Sequence, residues 1–220
     1  MKLNKYIDHT LLKQDATKAE IKQLCDEAIE FDFATVCVNS YWTSYCKELL
    51  KGTNVGITNV VGFPLGACTT ATKAFEVCEA IKDGATEIDM VLNIGALKDK
   101  NYELVLEDMK AVKKAAGSHV VKCIMENCLL TKEEIIKACE IAVEAGLEFV
   151  KTSTGFSKSG ATFEDVKLMK SVVKDSALVK AAGGVRTFED AQKMIEAGAD
   201  RLGTSGGVAI IKGEENKTSY

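Results

Sequence analysis

The chain has 220 residues, 46% of them hydrophobic and 27% charged, with a formal net charge of −4. That composition fits a globular protein with a sizeable core, and the slight negative charge without any basic cluster argues against a nucleic-acid partner. The opening MKLNKYIDHTLLKQD lacks the apolar stretch of a signal peptide, and no segment approaches the roughly 20 uninterrupted apolar residues of a membrane span, so a cytoplasmic protein without a membrane partner is expected.

In chain order, a strand is read at Tyr6–Thr10, then a helix opened by Thr17-x-x-Glu20, with Ile21, Leu24, Cys25, Ala28 and Ile29 on one apolar face. Strands follow at Thr35–Asn39 and Val55–Gly62, and the single proline, Pro64, falls in the loop after the latter. Further strands are read at Ala85–Asn93, His119–Met125, Glu148–Thr152, Ala177–Ala181 and Asp200–Gly203. Capping patterns at Thr131-x-x-Glu134, Thr162-x-x-Asp165 and Thr187-x-x-Asp190 start helices between them, and Gly146 and Gly198 suit left-handed helix ends. The polar tail from Lys212 to Tyr220 is expected to be mobile.

Residues near the strand ends, from Asp8 to Gly203, recur about every 28 positions. Eight β-α units of that size, with no linker between them, predict an α/β fold: one (β/α)8 TIM barrel domain spanning residues 1–220. An open doubly wound sheet is the alternative, and eight successive units favour closure.

The eight cysteines, irregularly spaced and without a C-x-x-C, read as small hydrophobes in a reducing compartment. Neither His9 nor His119 has a partner at metal-ligand spacing, so no metal or other cofactor is expected.

Side chains alternate across a strand, and parity therefore sorts inside from outside. Ile88, Met90 and Leu92 mark the helix-facing side of the fourth strand, which turns Asp89 inward. The same reading sends Lys122, Lys151 and Lys180 inward from the next three strands. A buried ion-pair network without chemistry is one explanation. Three lysines against one evident aspartate, however, leave a positive excess that a purely structural interior has little reason to carry. Lys151 and Lys180 end neighbouring strands, and burial and like charge both push one of them towards its neutral, nucleophilic form.

Beyond the seventh strand lies Gly183-Gly184-Val185-Arg186, and beyond the eighth Gly203-Thr204-Ser205, each leading into a helix. Either could be a plain turn, but their joint position is where barrels bind phosphate. Gly155 and Ser157 are placed to complete the cradle. A phosphate at one end of the substrate and a carbonyl at Lys151 define imine chemistry that makes or breaks an adjacent carbon–carbon bond, with Asp89 relaying protons. Asp8 and Cys37 end inward-reading strands and are further candidates, Cys37 also reading as plain packing.

The segments IDHTLL, ATVCVN, EIDMVLNIGAL, VKTSTGF, KAAGGVRT and RLGTSGG, in that order, resemble the deoxyribose-phosphate aldolase family of the short bacterial type. The resemblance implies reversible class I cleavage of 2-deoxy-D-ribose 5-phosphate to D-glyceraldehyde 3-phosphate and acetaldehyde. It implies Lys151 as the imine-forming lysine, Lys180 as its activator, Asp89 as proton donor and acceptor, and Lys122 as support for substrate and water. It also implies a homo-oligomer, for which a dimer is expected, and makes Tyr220, the last residue, a candidate proton carrier. Gly206 departs from the family pattern, where a small side chain such as serine is common. Another imine-forming lyase or isomerase of sugar phosphates, or an idle barrel that senses a phosphorylated metabolite, are the competing readings.

Overall fold

A computed structural model describes residues 3–216 of the chain. Eight parallel strands close into a barrel in sequence order: β1 (Ile7–Leu11), β2 (Thr35–Val38), β3 (Gly56–Val61), β4 (Glu87–Val91), β5 (Val120–Ile124), β6 (Phe149–Lys151), β7 (Leu178–Ala182) and β8 (Arg201–Thr204). β1 pairs with β8 through Asp8 and Gly203, which completes the ring. Around it run α1 (Lys18–Glu30), α2 (Thr43–Leu49), α3 (Thr70–Asp83), α4 (Ile94–Lys98), α5 (Tyr102–Ala116), α6 (Lys132–Glu144), α7 (Phe163–Val173), α8 (Phe188–Glu196) and α9 (Gly207–Lys212). The predicted strands and the closed barrel are therefore present, with ends shifted by a residue or two.

Local chemistry explains the helix starts. The Thr17, Thr131 and Thr187 hydroxyls each accept the N–H three residues on, and the acidic side chain there accepts the threonine N–H in return. Each such cap contributes about 1 kcal/mol. Thr162 makes only the first half of this exchange, accepting from the Asp165 N–H. On α1 the apolar stripe holds at Ile21, Leu24, Cys25 and Ala28, but Ile29 is 40% exposed. Eight residues past Ile21 the helix has turned to about 80° from it, which carries Ile29 off the buried face.

The main core lies between the sheet and the helices, where Ile88, Met90 and Leu92 pack with Met109, Val112, Val121, Cys123, Val150 and Val179. Each large apolar side chain buried there stabilises the fold by roughly 1.5–3 kcal/mol. The barrel interior differs sharply: Asp8, Asp89, Lys122, Lys151 and Lys180 are all buried inside it. The eight cysteines are free, and five of them are buried.

At the C-terminal end, Lys212 closes α9 rather than beginning a loose tail. Gly213, at φ +74°, turns the chain back, and the Glu214 N–H donates to the Ala209 carbonyl at 2.8 Å. The Asn216 N–H then donates to the Arg186 carbonyl at 2.9 Å, so the expected mobility meets a docked segment over residues 213–216. Tyr220 lies outside the described residues.

Candidate active site

Strand register builds the site. Asp89 lies beside Lys122, and Lys151 beside Lys180, on adjacent inward-facing positions. Asp89 stands at the centre: its Oδ1 accepts from Lys122 at 2.8 Å, and its Oδ2 accepts from both Lys151 and Lys180 at 2.8 Å. The parity argument for these four residues therefore leads to one shared carboxylate.

The three lysines differ in their other partners. Lys180 also meets Asp8 Oδ2 at 2.6 Å, and Lys122 meets Glu87 at 2.5 Å with Asp8 a further 4.0 Å away. For Lys151, Asp89 is the one carboxylate partner among the described residues. Burial presses all three amines towards neutrality. For Lys151 that pressure, with the charge of Lys180 added, outweighs Asp89, and its pKa is lowered. For Lys180 the paired carboxylates overcome burial and hold it well above the ordinary lysine value, and Lys122 is raised for the same reason. Burial likewise raises Asp89, but the three surrounding cations bring it well below the usual carboxylate range. The Lys151 side chain is also 3% exposed, whereas those of Lys122 and Lys180 are sealed.

The floor of the barrel corrects the expected charge excess. Arg201 reaches Asp8 at 2.5 Å and Glu87 at 3.1 Å, and the Phe149 ring lies 5.8 Å from its guanidinium and 5.7 Å from the Lys122 amine. The network thus holds Asp8, Glu87 and Asp89 against Lys122, Lys151, Lys180 and Arg201. Four cations thus face three carboxylates, one positive charge in excess rather than the two expected of three lysines and one aspartate. Glu87 and Arg201 were missed because parity was applied only near the strand ends; each lies two residues before a residue that was considered.

Two other candidates take structural positions. The Asp8 carboxylate accepts from the Thr35 hydroxyl as well as from Arg201, and the charges of Lys180, Lys122 and Arg201 overcome its burial and lower its pKa to about 2. Cys37 is fully buried with Leu12 and Val60, and burial raises its thiol pKa, so it stays protonated. None of Asp89, Lys122, Lys151 and Lys180 borders the cavity described next; the sealed Lys122 amine is held between Asp89 and Glu87.

A cavity of ≈ 220 Å³ opens at the C-terminal ends of β6, β7 and β8. Gly155 and Ser157 border it from one loop, Gly183, Gly184, Val185 and Arg186 from the next, and Gly203, Thr204 and Ser205 from the last. The nine predicted cradle residues therefore converge. Gly183 and Gly184 adopt φ +74° and +81°, a left-handed turn that favours glycine and exposes backbone N–H groups. The loops are cross-tied, since the Thr204 hydroxyl donates to the Val185 carbonyl at 3.2 Å and accepts from the Gly206 N–H at 3.0 Å. Gly203 links cavity and network: a Cβ there would meet Lys180 Cε at 3.1 Å. Arg186 is the one ionisable side chain on the cavity wall among the described residues.

Three further residues escaped the sequence reading. Gly160 packs on Gly183 so tightly that a Cβ would come within 2.4 Å of its carbonyl carbon. Glu126, buried at φ +56°, accepts the Thr154 N–H at 3.2 Å and the Thr154 hydroxyl, which fixes the loop after Lys151. Asn216 joins the cavity wall from the far end of the chain. A carboxylate just past a strand end was the only local sign of Glu126; nothing local marked Asn216.

A closed parallel barrel thus carries a lysine of lowered pKa among buried charges, with a glycine-lined cavity at the C-terminal ends of β6, β7 and β8, and this is the architecture of a barrel enzyme. A family model for DeoC/LacD family aldolases matches residues 2–213. The chain is 98% identical over 220 residues to deoxyribose-phosphate aldolase 1 of Mesoplasma florum, covering 100% of both chains. It is 73% identical to the deoxyribose-phosphate aldolase of Mycoplasma capricolum, covering 100% of this chain and 99% of that one. A tetrameric deoxyribose phosphate aldolase from Aeropyrum pernix superposes with a TM-score of 0.89 at 32% identity, over 96% of this chain and 89% of that one. The chain belongs to the DeoC/LacD aldolase family.

Proposed function

We propose that Lys151 is the imine-forming residue of a class I aldolase that reversibly cleaves 2-deoxy-D-ribose 5-phosphate to D-glyceraldehyde 3-phosphate and acetaldehyde. The observation that carries this assignment is the unequal sharing of carboxylates: Lys180 and Lys122 each have at least two, and Lys151 has one. The neutral amine adds to the C1 aldehyde of the open-chain sugar and, with uptake of a proton from solvent and loss of water, gives a protonated imine. That cation draws the electron pair of the C2–C3 bond as the C3 hydroxyl loses its proton, releasing glyceraldehyde 3-phosphate and leaving an enamine on Lys151. Protonation at C2 and hydrolysis of the imine release acetaldehyde.

Lys180 supplies the fixed positive charge beside Lys151, and Asp89 orients both amines. The strongly ionised Asp89 supports proton acceptance through a water better than direct donation. Lys122 acts as a positioning residue for Asp89. The N–H groups of the Gly183–Gly184 and Gly203–Ser205 loops and the Arg186 guanidinium hold the phosphate.

The whole chain is read as one barrel domain. No helix among the described residues is long and apolar enough to cross a membrane. The free cysteines support a reducing cytoplasm as its location. A homo-oligomer, in its simplest form a dimer, completes the reading, and sedimentation equilibrium counts the copies.

The deciding experiment is incubation with acetaldehyde and borohydride followed by peptide mass spectrometry. A two-carbon adduct on Lys151, abolished in Lys151→Arg, is expected. An adduct on Lys180 or Lys122 instead, or none, rejects the assignment.

A further inference from the structure

Gly206 stands in the loop after β8 at φ −98°, a conformation open to any residue. What excludes a side chain there is Asn216: a Cβ on Gly206 would fall 2.3 Å from both Cβ and Cγ of Asn216 and 2.4 Å from its Nδ2. Real Cβ atoms do not approach so closely, so the carboxamide occupies the space that position 206 leaves empty. It is firmly seated. Asn216 is 9% exposed, its N–H donates to the Arg186 carbonyl at 2.9 Å, and its Nδ2 donates to Ser205 Oγ at 3.4 Å. One residue thus ties the loop after β7 to the loop after β8, and it borders the same cavity as Gly183, Gly184 and Ser205.

A carboxamide presents N–H donors, and an anion is the ligand such a wall suits. We propose that Asn216 is a phosphate-binding residue of this enzyme, its side chain forming the wall of the cradle that position 206 cannot supply. The proposal rests on the reading of this cavity as the phosphate site. The stretch 213–216 after α9 is then part of the binding site and contributes to discrimination between phosphorylated and unphosphorylated sugars. The reversal at Gly213 and the Glu214-to-Ala209 hydrogen bond bring Asn216 back over the loops, where an extended tail would leave it far away.

The test measures inhibition of the full-length enzyme by inorganic phosphate, and the ratio of kcat/KM for 2-deoxyribose 5-phosphate to that for 2-deoxyribose. Asn216→Ala should weaken phosphate inhibition and lower the ratio, each about tenfold, as expected for one lost hydrogen bond to a charged group. Asn216→Asp, nearly the same shape but anionic, should lower both further. Gly206→Ala, which expels the carboxamide without removing it, should reproduce the alanine effect. A purely packing role would lower Tm without moving the ratio. Phosphate inhibition and ratio within twofold of wild type in folded Asn216→Ala and Asn216→Asp overturn the proposal. A wild-type enzyme insensitive to phosphate overturns the cradle assignment with it. Acetaldehyde trapping on Lys151 tests the imine reading separately.

Discussion

Three lysines are buried to nearly the same degree, yet the structure predicts opposite consequences for removing them. In Lys180→Met, Asp8 keeps Arg201 but loses its 2.6 Å partner, and Asp89 loses one of its three cations. Leaving buried carboxylates short of charge typically costs about 3–5 kcal/mol. For a chain of this length each kcal/mol lowers Tm by about 2–4 °C, so a fall of roughly 6–20 °C is expected. In Lys151→Met, Asp89 keeps Lys122 and Lys180 at 2.8 Å, and the removed amine is the one whose charged form the site disfavours. Methionine fills nearly the same volume, so the loss should stay under about 1 kcal/mol, or the fold should gain stability, at the expense of all turnover. Urea denaturation of both variants at neutral pH measures the contrast. Equal destabilisation would sink the argument, because Lys151 would then be an ordinary member of a structural ion-pair network.

The lowered pKa of Lys151 means that its neutral form accumulates at lower pH than for an ordinary lysine, so the rise of borohydride trapping with pH should have its midpoint below pH 10.5. Removing the neighbouring cation in Lys180→Met should move that rise to higher pH; a stationary profile would show that Lys180 does not act on Lys151. Asp8, with its pKa lowered to about 2 from 3.8, contributes stability that is complete above about pH 4 and lost as pH falls through 2, on the order of 2 kcal/mol. Tm measured from pH 5 to pH 2 should therefore fall less steeply in Asp8→Asn, and parallel curves would refute the linkage. Gly160→Ala must displace Gly183, because the added Cβ would lie 2.4 Å from its carbonyl carbon. Its KM for 2-deoxyribose 5-phosphate should rise at least about tenfold, and a KM near wild type would show that the loop tolerates the shift.

The alternation of Ile88, Met90 and Leu92 with Asp89, and the same parity in the next three strands, was enough to turn four charges inward, because strand parity is a local property of the backbone. Glycine runs before helix starts were likewise legible, since turn geometry and N-terminal anion affinity belong to short segments. Partner choice was not legible. Asp8 and Arg201 meet across 193 residues of sequence only because β1 closes on β8. Lys122, read as support for substrate and water, is sealed and donates to Asp89, an arrangement that parity, which tells inside from outside, does not give.

The repeating unit, the inward face of each strand and the residue types at the mouth are all legible in the linear chain. Closure of the barrel settles which lysine is left with a single carboxylate, how the floor carboxylates offset the lysines, and that Asn216 returns to cover Gly206. Range separates the two: alternation, capping and turn preference act over a few residues, whereas desolvation and charge pairing depend on everything within several ångströms, whatever its place in the chain.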